Sequence, residues 1–414
     1  MANSSLTLSM ITNEALFILK NSLRLTRYID RSYDKSFGQS GAKIGTVLNV
    51  RKPARYTVGN GPKLNLQDFA ETSAPLALDQ QPNVGIQFTS AEQLLSIDEY
   101  SKRVLAPGVD AIANVVDLQV SLNYKKVWNF TGTVGTSPAT TTAPLNAGAI
   151  LDDNAVPRSD RYMVMSPSMI ATQIAGLQGL YNPQKTISDN FTSGQIAQGV
   201  LGFDWDQDQN IVFHTIGNAV GTAPISTAAT TQTGSAITTS GWTATTTGVL
   251  KDGDIITFAG TYQVNPQSRL TTNRLQPFVV QGDVSSDGSG NATINVSPAV
   301  VPAGAYQNVT QAIAGSSAIA LYGVSVSGST YPATTGVVSP QGLAFHRDAF
   351  TLACADLPLP GGVDFAQRAS DEDLGLSLRI IRQYGIMDDV FPCRMDLLFG
   401  TTSLRPELAC RVVG

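Results

Sequence analysis

Between Val220 and Phe345 the chain nearly runs out of charge: Lys251, Asp252, Asp254, Arg269, Arg274, Asp283 and Asp287 are its only ionised side chains there. The block is rich in Thr, Ser, Gly and Val, while the sequence on either side carries charges at ordinary intervals. A composition that changes mid-chain and then changes back points to a domain inserted into a host whose two halves meet in space. Within the block, Ile255–Phe258, Phe278–Val280, Ala292–Val296 and Leu321–Val326 read as strands. Turns at Lys251-Asp252-Gly253-Asp254 and Asp287-Gly288 separate them, which is how a compact β barrel or sandwich reads.

Charge is sparse over the whole chain as well. Of 414 residues, 14% are charged, against about 25% in a typical soluble domain. A surface that poor in charge is covered by neighbours or presents hydroxyls instead. The length allows two or three domains. A net charge of −5 argues against a dedicated nucleic-acid binder, which carries a strong basic balance. Cys354, Cys393 and Cys410 are odd in number, far apart and without CxxC spacing, so we expect reduced, partly buried thiols. No signal peptide is evident, and no run approaches the ~20 apolar residues of a membrane-crossing helix. The Asn-x-Ser/Thr sites at Asn129, Asn190, Asn291 and Asn308 therefore carry little weight.

Along the chain, an amphipathic helix is expected from an N-cap at Thr12, with Glu14 complementing its dipole and Leu16, Leu19 and Leu23 forming its stripe. Lys20, Arg24, Arg27 and Arg31 follow 4-3-4 spacing, either as a solvated face or as an arm that meets an acidic partner or a neighbouring subunit. Residues 45–88 turn to β patterning. Val47, Leu48 and Val50 lead into the basic patch Arg51, Lys52 and Arg55, then Tyr56–Val58, a Gly59-Asn60-Gly61-Pro62 turn and Leu64 and Leu66. No second apolar layer for this hairpin is visible nearby, which suggests that it rests on another chain. Thr89-x-x-Glu92 and Ser96-x-x-Glu99 fit capping boxes, and Pro107 suits the first turn of a further helix. That helix shows Val109, Ile112, Ala113, Val116, Val120 and Tyr124 on one face. Arg161–Met165 reads as a strand, Ser166-Pro167 as the start of a helix to about Leu180, and Leu374–Ile380 and Val390–Phe399 as further strands.

Catalytic chemistry is not written in this chain. His214 and His346 are its only histidines; they bracket the insert and read as hydrogen-bonded junction residues, since two ligands make half a zinc shell. Asp204–Asn210 resembles the start of a calcium loop, but Gln209 and Thr215 stand where Gly and Glu are needed. Asp371-Glu372-Asp373 reads as a solvated turn. Nucleophile elbow, P-loop, HExxH and strand-linked GxGxxG are all missing, so we expect a non-enzyme without cofactor or metal.

An arm, an extended hairpin, a spine helix, an α/β lobe, a β insert and a return to strands resemble, in that order, the major capsid proteins of tailed phages. This is the HK-97-like α+β fold, here with an inserted β-barrel-like domain. The closer likeness is to the coat proteins of P-22-like short-tailed phages. It is carried by Leu94–Tyr100 and Ala113–Asp117 in the spine, by Arg161–Pro167 and Gly199–Asp204, and by Leu250–Gly260, Asn265-Pro266 and Leu275–Val280 in the insert. Leu343–Phe350 and Ser377–Arg382 continue it after the insert.

The resemblance implies an N-terminal arm (1–44), an extended loop over a neighbouring subunit (45–88), a peripheral domain with the spine helix (89–126) and an axial domain (127–219 and 346–385). It also implies the insert (220–345) and closing peripheral strands (386–414). It implies a subunit that joins copies of itself as hexamers and pentamers in a virion shell assembled in bacterial cytoplasm, around double-stranded DNA and without a membrane. A portal and a separate scaffolding protein are implied too, because the chain begins directly with the arm. On that reading Glu14, Lys20, Arg24, Arg27 and Arg31 are candidate assembly or scaffold contacts. Arg51, Lys52, Arg55 and Lys63 are candidates in the extended loop, and Lys251, Asp252 and Asp254 in the insert, unless these three only form a turn. Lys63 finds no reaction partner in the sequence for covalent cross-linking. The alternative, a surface adhesin or carbohydrate-binding module, is suggested by the Thr/Ser-rich block; it lacks a signal peptide, and its aromatics Trp242, Tyr262, Tyr306, Tyr322 and Tyr331 are scattered singly.

Overall fold

In the computed structural model the described residues are 3–32, 47–59, 61–62, 66–68, 71–89, 106–176, 196, 199–218, 221–227, 231–322, 336–371 and 376–413. Glu92 and the Ser96-x-x-Glu99 box, Lys63, Leu64, Glu372 and Asp373 lie outside them, and Thr89 ends a strand. The chain divides into two compact units: residues 1–51, 73–121 and 350–404 in the first, and 52–72, 122–349 and 405–414 in the second.

Among the described residues, the first unit is built on two helices and short antiparallel sheets. Its N-terminal helix, Asn3–Ser22, begins nine residues before the expected cap, so Thr12 is an interior position and is buried. Leu16, Leu19 and Leu23 are buried as the stripe requires. The spine helix Ala106–Ser121 carries Pro107 in its first turn, where the missing N–H costs nothing. Val109, Ile112, Ala113, Val116 and Val120 are all buried on one face. Asp117, from the same helix, accepts hydrogen bonds from the backbone N–H groups of Arg24 and Thr26 (2.9 Å each) and from the Thr26 hydroxyl. A four-stranded antiparallel sheet runs in the order Phe365–Asp371, Leu376–Arg382, Val390–Asp396, Asn83–Thr89.

The expected hairpin differs from its sequence reading. Its strands are Val47–Arg51 and Ser73–Ala77, paired from Val47↔Ala77 to Arg51↔Ser73. Tyr56–Val58 forms no strand; Thr57 N–H and hydroxyl instead donate to Gln67 Oε1 across the loop. The hairpin base also has its own apolar layer, because Val50, Ala74, Leu76 and Leu78 pack with Ala353 and Leu404. Period-2 patterning located the first strand, but the layer beneath it comes from residues some 300 positions away.

The second unit joins a lobe to a barrel. The lobe is a five-stranded mixed sheet ordered Phe130–Thr131, Ala409–Val412, Gly342–His346, Arg161–Met165, Asp204–Gln207. Its outer pairs are parallel and its inner pairs antiparallel. Helices Thr142–Asp153 and Pro167–Gly176 belong to the same lobe, and Ser166 Oγ accepts the Met169 N–H at 3.4 Å as an N-cap.

The uncharged block folds as a ring of strands. Ile319–Leu321, Ile255–Val264, Thr271–Val280, Ala292–Val300, Gly234–Trp242 and Gly221–Ser226 pair in that order. A bridge between Ile225 and Ala318 joins the last strand to the segment leading into the first, closing the barrel. Inside lie Ile237, Trp242, Leu250, Ile256, Phe258, Phe278, Val280, Ile294 and Val296. Residues Ala292–Val296 alternate buried and exposed, so Thr and Asn face outward where other proteins place charges. The chain enters and leaves through one antiparallel ribbon, Phe213–Thr215 against Val338–Pro340.

Candidate functional site

Four buried polar side chains tie the barrel to the lobe. Asp254, which ends the Lys251–Asp254 turn, is 2% exposed. Its carboxylate meets His214 Nε2 at 2.8 Å and accepts the N–H groups of Gly217 (3.1 Å) and Lys251 (2.8 Å). His214 Nδ1 lies 2.9 Å from the Tyr124 hydroxyl. Arg411 stacks over the Tyr124 ring at 5.0 Å and donates to the carbonyls of Val127 (2.8 Å) and Gly253 (2.7 Å). Burial pushes the Tyr124 hydroxyl up to about 12 against the pull of Arg411. Burial also lowers Arg411 to about 10, with Tyr124 and the Asp254 carboxylate favouring its charged form.

Further bonds extend this seam. Asp252 pairs with Lys125 Nζ at 3.1 Å, Gln263 donates to Asn154 at 2.9 Å, and Asn265 donates to the Asp153 carbonyl at 2.7 Å. Phe130, Ile255, Val279 and Val413 supply its apolar part. His214 is thus a junction residue, and the carboxylate of Asp254, a candidate contact unless it only forms a turn, is taken up inside the unit. Its backbone turn presents the carboxylate inward, where His214 and two amides take it up. Asp252 is shared between Lys125 and the Gly282 N–H, and Lys251 is half-buried. His346 sits at the other end of the insert and accepts the Asp348 N–H at 3.2 Å.

The cationic set near the N-terminus does not form one stripe. The helix stops at Ser22, Leu25–Tyr28 is a 3-10 turn, and Arg31 lies beyond it. Arg31 is buried, donating to the Thr26 carbonyl at 2.5 Å, which corrects its expected place on an exposed face. Glu14, Arg24 and Arg27 are exposed, and Lys20 is half-buried. In the basic patch, Arg51 is exposed at the end of its strand, while Lys52 and Arg55 are half-buried.

Lys52 and Arg55 line a cleft of about 430 Å3 together with Trp128, Tyr306, Arg405 and Glu407. Arg55 Nη2 stands 3.3 Å from Glu407 Oε1, and Arg405 Nε 3.5 Å from the same oxygen. Burial lowers the Lys52 ammonium below the usual lysine range, with Glu407 pulling the other way. The sequence reading missed Arg405 and Glu407, because nothing local marks residues that fold back beside position 52. All three cysteines are buried thiols. Among the described residues no group of three or more His, Cys, Asp or Glu could hold a metal, and no helix is long and apolar enough to cross a membrane.

A hairpin bearing a charged loop, a spine helix, a mixed-sheet lobe and a barrel follow one another along the chain, an α+β order of the kind that the resemblance to coat proteins implies. A family model described as "P22 coat protein - gene protein 5" matches residues 65–414. The chain belongs to the P22 coat protein family. No curated protein matches the sequence. Among solved structures, one from Mycobacterium phage Che8 is similar over 94% of this chain and 90% of its own, at 12% identity and a TM-score of 0.44. The capsid structure of Cyanophage P-SCSP1u is similar over 89% and 83%, at 10% identity and 0.41. The mature capsid of bacteriophage PhiM1 is similar over 89% and 81%, at 10% identity and 0.38. At these values the family assignment rests on the sequence match.

Proposed function

We propose that the chain builds a closed icosahedral shell from hexamers and pentamers of itself, with a separate scaffolding protein and a portal, in the host bacterial cytoplasm. Double-stranded DNA then fills the shell without sequence-specific contacts, and the protein acts structurally rather than as an enzyme. The observation that carries this reading is the family match across residues 65–414. On it, residues 1–44 serve as the arm, 45–88 as the extended loop, 89–126 and 386–414 as the peripheral domain, 127–219 with 346–385 as the axial domain, and 220–345 as the insert. One chain meets five- and six-fold settings when loops adjust around rigid helices and sheets. Many modest contacts, rather than a few strong ones, let wrongly placed subunits leave. Glu14, Lys20, Arg24 and Arg27 are the contacts we assign to the arm, and Arg51 and Lys63 remain candidates in the extended loop.

Electron microscopy of the protein produced alone and with a candidate scaffolding protein tests this. Uniform shells, or irregular shells made regular by the scaffold, are the expected result. A persistent monomer under assembly-favouring conditions would overturn it. Neutralising Lys20, Arg24 and Arg27 together should impair shell formation more than folding; normal shells would remove the arm assignment.

A further inference from the structure

In the cleft beside the extended loop, Arg55 and Arg405 meet the single carboxylate of Glu407, and Lys52 lines the same space. Three cations against one anion leave a surplus of two positive charges. The Lys52 ammonium forms no ion pair among the described residues, although its stem is partly desolvated. A half-buried cationic surplus of this kind is unfavourable until an anion joins it. Trp128 and Tyr306 wall the same cleft, and the Arg55 guanidinium lies 6.0 Å from the Tyr306 ring centre.

We propose that this cleft receives an aspartate or glutamate side chain from a second copy of this chain, closing a charge-paired contact between subunits. Composition favours that occupant: the chain holds 32 acidic against 27 basic residues, so in a neighbouring copy carboxylates outnumber cations. The cleft is concave and of the ~300–1,000 Å3 class that takes side chains and small ligands. A DNA duplex carries its phosphates on a stiff convex rod, which does not enter such a space. The assignment rests on the shell-building reading and adds to it the chemistry of one contact.

Amine acetylation followed by mass spectrometry tests it, comparing Lys52 in soluble subunits, in DNA-free shells and in DNA-filled particles. Pairing with a carboxylate favours the ammonium, and each pKa unit gained cuts the reactive free amine about tenfold. Lys52 should therefore be modified in subunits and protected about tenfold in DNA-free shells. Equal modification in subunits and DNA-free shells would overturn the proposal. So would protection that appears only in DNA-filled particles, which assigns the cleft to nucleic acid. If no shells of any kind form, the shell reading fails and takes this proposal with it, a result distinct from shells that keep a reactive Lys52. Lys52→Glu should fold as a subunit, by circular dichroism, yet lose shell yield; undiminished yield overturns the proposal independently.

Discussion

Asp396 shows how a single side chain binds three segments of the first unit. It is buried, accepts a two-pronged bond from Arg379 (2.9 and 2.7 Å), and is also met by Arg394 (2.8 Å) and Gln81 (2.9 Å). Burial alone would raise its pKa, but the Arg379 fork with Gln81 and Arg394 outweighs it and holds the carboxyl below its usual range. A depressed carboxylate stabilises fully above its unfolded pKa of about 3.9 and loses that contribution as pH falls through the lower folded value. Asp396→Asn should therefore cost roughly 3 kcal/mol at neutral pH, with the gap to wild type closing below about pH 4. Urea titrations across pH read this directly; a gap independent of pH would contradict it. In the second unit, Asp254→Ala removes the acceptor of two amides and of His214, and should cost about 3–5 kcal/mol by the same measurement. At this scale the sequence was informative about His214, whose place at the edge of the uncharged block marks a junction. It read Tyr124 only as part of the spine face, which stops at Ser121, and was silent about Arg411, because residues 124, 214, 254 and 411 become neighbours only through sheet order.

Elements were legible wherever periodicity was local. The spine face, the Arg161–Met165 strand and the Ser166-Pro167 helix start all follow from spacing and capping chemistry. The hairpin was read correctly as present but with the wrong partner strand, since a Gly-Asn-Gly-Pro turn reads the same whether strands flank it or a wide loop does. What seats that hairpin is a glycine. A methyl group on Gly400 would come within 1.8 Å of the Ala77 carbonyl oxygen, so the Leu398–Ser403 strand approaches the hairpin base only without a side chain there. Gly400→Ala should cost about 1–3 kcal/mol through overpacking. It should also speed proteolysis within residues 52–72, and unchanged cleavage would show that the base had absorbed the methyl group.

For the whole molecule, composition was the strongest signal: every strand of the barrel falls within the almost uncharged block. The barrel has a core of its own and a closed ring of strands, so little of its stability depends on the host. Residues 213–340 produced alone should unfold cooperatively in urea with strand-rich circular dichroism; a fragment lacking any transition would contradict this. The lobe's apolar seam and the four-residue polar junction were not legible, because they belong to the meeting of two domains rather than to either.

The ribbon of Phe213–Thr215 against Val338–Pro340 brings His214 and Ser339 face to face, at the ~4.5–5.5 Å spacing of an antiparallel pair. Both ends of the barrel are therefore anchored at one point, as the two pins of a plug are. A short linker could bridge that gap, and a foreign domain whose termini lie side by side could occupy it, while the lobe strands on either side keep their pairing. The chain is thus open to exchange at one address, and an inserted cargo would be carried once per chain.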